Sequence, residues 1–351
     1  MDNETQHQCK PSRSPWTALV GVSRAHNVAL APFRGNPARA ASTAVTTCGQ
    51  VLAAAGDYEL TGDLGPCKGD GVVIAASGVH LTLAGHTISG VNPPSVCNFQ
   101  TTAATQAGIR AEGSFNHVLI NGGTVTGFED GIRLVGTPSG LLAAFTVSAM
   151  TVTDNCAFGV VAAFAQNGEI ATSDVTGNGL DGIALVAASV GGVAPFIQNV
   201  TIEENHVSGN ARFGIIDEGK NMIIGRNIVN HNATLFTGAG IAIFGNDNTI
   251  TGNSANNTNV PPDTVGAFGI ILAQSVQGNV VTDNTANGNV TGIDIEVNAA
   301  SNTVKGNIAH GNTSADLQDA NPACGTNAWK VDNFDTALVA GVAVDHSGCI
   351  H

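Results

Sequence analysis

Between Asn199 and Asn312 one short pattern recurs, and it leaves room for a single kind of architecture. An apolar stretch is followed by Asn205, five residues later by Asn210, and four residues after that by Gly214-Ile215. The same order returns as Asn227, Asn232 and Gly240-Ile241, as Asn253, Asn257 and Gly269-Ile270, as Asn284, Asn289 and Gly292-Ile293, and as Asn307 with Asn312. Successive first asparagines are 22, 26, 31 and 23 residues apart, so a short period is kept and the excess is local insertion. A period of this size marks a solenoid, in which each repeat is one coil and buries its apolar side only by stacking on its neighbours.

Asparagine suits the corner of such a coil. It tolerates a left-handed backbone, and its amide donates to and accepts from the equivalent residue one coil away, so stacked coils form a ladder. Glycine before isoleucine is expected to permit a tight corner at the start of the next strand, and the β-branched residues point inward by the period-two rule. Upstream, Gly71, Gly108, Gly131, Gly159 and Gly182 open equivalent strands, with Gly85 and Gly90, Gly122 and Gly127, Met150 and Asn155, and Ser173 and Asn178 at the ladder places. The count is about nine coils.

Composition agrees with one large repeat domain. The 351 residues include 44 glycines, and charged residues make up 11% of the chain against about 25% in an average domain. No run reaches the ~18 apolar residues of a membrane helix. Residues 1–44 carry five of the 13 basic residues and no repeat, and read as a leader or disordered tail before a β-solenoid domain at 45–351, with 315–351 as its C-terminal cap. The net charge of −14 argues against nucleic acid as a partner. Seven cysteines sit mostly at the ends: Cys48 with Cys67 and Cys324 with Cys349 are expected to close the two edges, and Cys97 with Cys156 to form a third bridge, leaving Cys9 alone. Disulfides place the chain outside the cytosol: secreted, periplasmic or on the cell surface.

Insertions fall on both sides of the Gly-Ile strand, at 91–107, 232–239 and 258–268 before it and at 135–146 and 185–198 after it. The Gly-Ile strands are therefore expected to floor a groove with loop walls. These coils, with their Asn-x-Val/Ile, Asn and Gly-Ile-x-Ile/Leu elements, resemble the right-handed parallel β-helix repeats of the pectate-lyase-like superfamily. Residues Asp316 to Asp319, Cys324 to Trp329 and Asn333-Phe334 resemble the closing segment of bacterial members. The resemblance implies an all-β, single-stranded right-handed parallel β-helix. It leaves function open among polysaccharide lyases, polygalacturonase-like hydrolases, alginate epimerases, tailspikes and a copper-enzyme accessory protein.

Candidate chemistry lies on the groove floor. The position after Gly-Ile reads Arg110, Arg133, Val161, Ala184, Ile216, Ala242, Ile271 and Asp294, and the position before Gly includes Asp130, Phe158, Asp181, Phe213 and Phe268. Rings beside carboxylates suit sugars, so Arg110, Asp130, Arg133, Phe158, Phe213 and Phe268 are candidate substrate-binding residues. Arg212, Lys220 and Arg226 fall within 15 residues and interleave with Asp217 and Glu218, which makes Asp181, Arg212, Asp217, Glu218 and Lys220 the candidate catalytic set. In a lyase, Arg or Lys would take the proton beside a uronate carboxylate, with Ca²⁺ offsetting substrate charge. An inverting hydrolase needs two carboxylates about 6.5–9.5 Å apart, for which Asp130 and Asp181, two coils apart, are borderline.

Several signatures are missing. There is no Asn-Thr-Asp, Gly-Asp-Asp or Gly-His-Gly series of the polygalacturonase kind and no Asp-Pro-His of the alginate epimerases. Three Met and ten scattered His form no clustered soft-metal site. Thr-x-Thr triplets at 124–126, 151–153 and 249–251 stand at different offsets from their ladders, against an ice-binding face. Two classes remain: a carbohydrate-active enzyme working along the groove, and a non-catalytic glycan-binding or structural module.

Overall fold

The computed structural model describes residues 41–91, 106–186, 197–258, 266–344 and 348–351. These residues form a single-stranded parallel β-solenoid. The Gly-Ile strands make one sheet of thirteen strands, parallel and in register from Gln50–Leu52 to Ala337–Val339, with Val342–Val344 folding back antiparallel over the last. The excess over nine repeats comes from edge coils whose sequences lack the pattern: Gln50–Leu52, Ala315–Asp319 and the terminal hairpin. At about 4.8 Å per coil the parallel part extends roughly 50 Å. The first strand, Thr43–Val45, already pairs with the next coil through Thr43 and Tyr58. No helix among the described residues is long and apolar enough to cross a membrane.

Each repeat turns three corners, and asparagine stacks at all three. The first ladder runs Asn205, Asn227, Asn253, Asn284, Asn307, each donating from backbone and side chain to the Oδ1 of the next, and it ends on Asp332. The second passes through Asn155, Asn178, Asn210 and Asn232, then resumes at Thr258, Asn289 and Asn312 to end on Asp316. Thr258, not Asn257, holds that place; Asn257 stands one residue earlier with φ 53°. A third ladder, Asn248, Asn279, Asn302, Asn327, was not separated out in the repeat because its members hide in the Asn-x-Val/Ile elements. Every donor along a ladder points the same way, so a carboxylate, which only accepts, is a fitting last rung.

Two expectations about the corners change. In the first two ladders the left-handed residue is the one before the asparagine, as at Glu204 (φ 57°), Arg226 (55°) and Asp283 (57°). The glycine before isoleucine is required by space, since a Cβ on Gly214 would collide with the Val229 side chain and lie 2.7 Å from both Asn232 Nδ2 and the Gly240 carbonyl oxygen. Likewise Gly123, not Gly122, pairs with Met150 in the ladder column. Placing the rung at Gly122 puts the first two threonine triplets out of register; in fact Thr124 and Thr126 pair with Thr151 and Thr153, while Thr249–Thr251 stands on a different column, against Ile223–Gly225.

The interior is one continuous column of Val, Ile and Leu, closed at the C-terminal end by buried Trp329, whose Nε1 donates to Asp319 at 3.0 Å. Disulfides Cys48–Cys67 and Cys324–Cys349 pin the two ends. Cys156 is also disulfide-bonded, and Cys97, its expected partner, lies outside the described residues, as do Cys9 and most of the tail. The loop walls expected at 91–107, 185–198 and 258–268 fall largely outside them too.

Candidate functional site

The outer face of the thirteen-stranded sheet changes character along the rod. At its N-terminal end Arg110 and Arg133 are neighbours in register. Each is paired with two carboxylates: Arg110 binds Asp70 at 2.8 Å and Glu112 at 2.8 Å, while Arg133 binds Glu112 at 2.6 Å and Asp130 at 3.0 Å. Burial pushes the Asp130 carboxyl up from its ordinary value, against the pull of Arg133. This chain of alternating charges locks the first coils together and leaves little capacity for a substrate.

The middle of the face is apolar. Val161, Ala184, Ile216, Ala242 and Ile271 form a second buried cluster, and Phe158, Phe213 and Phe268 pack against it. The expected floor is therefore largely covered, and the three rings expected to bind substrate also serve as packing.

One stretch of the rim is built differently. Asp181 is fully buried, and its oxygens accept from Arg212 Nε at 2.9 Å, Arg212 Nη2 at 2.6 Å and the Phe213 N–H at 3.1 Å. The Asp181 hydrogen bond raises the Arg212 pKa further, and the nearby Glu218 charge adds to it. So held, the guanidinium lies over the Phe213 ring, 4.8 Å from its centroid, and Phe213 meets Phe244 edge to face at 6.3 Å. Phe244 is 46% exposed. Beside it lies a depression of about 300 Å³ lined by Ile197, Glu218, Gly219, Lys220, Phe244, Gly245 and Asn246. Its floor is low because Gly245 stacks directly on Gly219, where a Cβ would run into the Gly219 carbonyl. Lys220 is fixed by backbone bridges to Gln198 and Asn246.

The structure thus brings together Asp181, Arg212, Phe213, Glu218 and Lys220 but separates Asp217 from them. Asp217 alternates with outward Ile216, stands in register with core residues Leu185 and Ile243, and turns into the solenoid. Its Oδ1 accepts from the Gly219 N–H at 2.8 Å, its Oδ2 has no partner, and burial raises its pKa to about 7. It is a corner residue of the interior and not a groove acid. Arg226 leaves the expected basic cluster as well, since it pairs with Glu203 and Glu204 on another corner. Asp130 and Asp181 are each committed to an arginine, so they do not form the acid–base pair of a hydrolase.

One residue escaped the sequence reading, and a second was named there without being singled out. Phe244 lies at the end of Gly240-Ile-Ala-Ile-Phe, where an outward ring was readable from alternation. Asp294 was placed on the outward column, but nothing in the sequence distinguished it. In the fold it is 3% exposed, its Oδ1 has no partner, and burial, then the charges of Glu296 and Asp319, push its pKa up to about 7.

The residues do not fit a calcium site at the rim. Asp181 is saturated by Arg212 and Asp217 faces inward, and among the described residues Glu218 is the one acid that lines the depression. A separate group, His310, Asp316 and Asp335, has ligand atoms within 4.8 Å of one another. Asp316 there already accepts from Asn312, Asp335 and Thr336 as the end of a ladder.

Comparison with known proteins follows this geometry. Among solved structures the fold is similar to the mannuronan C-5 epimerase AlgE6 A-module of Azotobacter vinelandii, at 14% identity and TM-score 0.57 over 84% of this chain and 81% of that one. It is similar to the Dettilon tailspike protein, at 17% identity and TM-score 0.52 over 85% and 60% of the two chains. A double mutant of the periplasmic alginate epimerase AlgG matches at 14% identity and TM-score 0.51, over 78% and 74%. No curated protein matches the sequence. These superpositions show a shared fold alone, and a family profile described as the right handed beta helix region matches residues 67–255 and 199–334. The chain belongs to the right-handed β-helix family.

Proposed function

We propose that this protein engages a polysaccharide along the outer face of the Gly-Ile sheet, outside the cytosol. The observation that carries the reading is the rim depression. An exposed ring, Phe244, offers an apolar face, and Glu218 and Lys220 beside it offer an acceptor and a donor for sugar hydroxyls or carboxylates. Behind it Arg212 and Asp181 act as the brace that orients Phe213 and, through it, Phe244. The structural neighbours support the polysaccharide class, two being named epimerases of mannuronan or alginate and one a tailspike. The end disulfides support an oxidising compartment.

If the rim is catalytic, lyase chemistry requires a base, and Arg212 does not serve because Asp181 holds its proton. Lys220 is then the candidate base. The non-catalytic reading is favoured by a different observation, the commitment of Asp181 and Arg212 to each other. Affinity electrophoresis of the full chain through gels containing alginate, polygalacturonate or a neutral β-glucan tests the shared claim. Retardation by at least one, weakened about fivefold or more by Phe244→Ala, is expected, which is about 1 kcal/mol at a central contact. Unretarded migration in all three gels, or equal retardation of the variant, would reject the site.

A further inference from the structure

On the larger sheet, across a corner from the Gly-Ile strands, a polar hollow of about 480 Å³ crosses four coils. Its opening traces to one position. The left-handed corner column there reads His117 (φ 53°), Ala144 (51°), Asn167 (53°), Asn199 (53°) and Asn221 (55°), and only Ala144 brings no polar side chain to it. The alanine leaves a gap between His117 and Asn167. Beside it the floor stays low, because a Cβ on Gly168 would run into the ring of Phe145, which fills the interior beneath.

Past the gap, Thr146, Glu169 and Thr201 stand in register on three successive coils, about 4.8 Å apart, and Glu203 lies two residues beyond Thr201. All four are partly buried, and among the described residues the side chains of Thr146, Glu169 and Thr201 make no hydrogen bond or ion pair. Charge in the hollow is one-sided. Glu203 shares the Arg226 guanidinium with Glu204, so one cation serves two carboxylates, and Glu169 has none. The one basic side chain on the lining is His117, whose Nδ1 lies 3.0 Å from Asn116 Oδ1. Since that oxygen accepts, the ring proton is on Nδ1, and the neutral ring offers Nε2 as a further acceptor.

A free carboxylate between two free hydroxyls, in a negative surround, matches a ligand that carries a cation between hydroxyls. The row covers about 10 Å of the rod, which calls for such groups spaced along a chain. We propose that this hollow binds an amino-sugar oligomer, with a ring ammonium on Glu169 and neighbouring ring hydroxyls on Thr146 and Thr201. The site is separate from the rim depression, and the inference does not rest on the reading of the rim.

The test is calorimetric titration of the full chain with a glucosamine tetramer, its N-acetylated counterpart and spermine. Saturable binding of the glucosamine tetramer is expected, about tenfold or more tighter than either comparison ligand, since acetylation removes the charge and spermine lacks the hydroxyls. Glu169→Gln should weaken it about tenfold or more. Ala144→Asn closes the gap with a residue that suits a left-handed backbone, and should abolish binding without lowering the melting temperature. Both variants should keep the parent's retardation in the polysaccharide gels; a parallel loss there would overturn the claim of a separate site. The assignment is also overturned by no saturable binding up to about 10 mM, by equal affinity for either comparison ligand, or by parent-like affinity in either variant.

Discussion

Replacing Asn227 by alanine probes the feature on which the whole rod depends. Its side-chain amide donates to the Ile202 carbonyl at 2.9 Å and to Asn253 Oδ1 at 3.0 Å, and accepts from both the N–H and the Nδ2 of Asn205 at 3.0 Å. Four hydrogen bonds vanish together. Part of the loss is cushioned, because Asn205 Nδ2 keeps the Ile170 carbonyl at 2.9 Å and Asn253 Oδ1 keeps the Asn227 N–H at 2.9 Å. The Asn205 N–H, in a residue 1% exposed, keeps no acceptor. An unsatisfied buried group costs about 1–3 kcal/mol and each lost neutral bond about 1 kcal/mol net, so with the cushioning the expected destabilisation is about 3 kcal/mol. Urea denaturation with disulfides intact should show it as a lower midpoint. Amide hydrogen exchange should show it locally, as roughly 100-fold faster exchange at Asn205 with distant coils little affected. An unchanged exchange rate at Asn205 together with a midpoint shift worth less than about 0.5 kcal/mol would refute the claim that the ladder amides hold adjacent coils together.

Other perturbations address single groups. Arg212→Ala strands the buried Asp181 carboxylate and should cost about 3–5 kcal/mol in thermal or urea unfolding, with much of it recovered in Asp181→Ala/Arg212→Ala because the orphaned charge is then gone. Asp217 has its folded pKa raised from 3.8 to about 7, so its burial costs nothing below the lower value, where both folded and unfolded chains are protonated. Stability then falls as pH rises between the two values, by up to about 4 kcal/mol, and levels off above. Asp217→Asn should flatten that slope in melts run from pH 3 to 8, leaving the similar contribution of Asp294. Removing Cys324–Cys349, whose partners are 25 residues apart, by Cys324→Ala/Cys349→Ala should release about 3 kcal/mol of stabilisation, seen as a lower melting temperature with the other disulfides intact.

The depth to which the sequence could be read differed by level. The first two ladders were legible because Asn and Gly recur at fixed offsets and each recurrence has a backbone reason. The third was hidden among strand residues, and single-residue register, as at Gly122 against Gly123 or Asn257 against Thr258, was lost where insertions shift the count. At the site, Asp181 and Arg212 were both placed in the candidate catalytic set, but their saturation of each other was not legible. Asp217 was misplaced because it was chosen from the cluster of charges around Arg212 and Lys220, whereas strand alternation from outward Ile216 turns it into the core.

Repetition alone determined that this chain is a stack of coils, since a pattern that returns every two dozen residues has few ways to bury its apolar side; the right hand came with the resemblance to β-helix repeats, and the end disulfides with the placement of the cysteines. Which outward residues remain available for chemistry was decided only by tertiary structure. Partnering and exposure depend on what neighbouring coils bring to the same spot: Arg212 to Asp181, Phe213 to Phe244, and the Asp319 charge to Asp294. Those neighbours lie twenty or more residues away in the chain, and only stacking makes them adjacent.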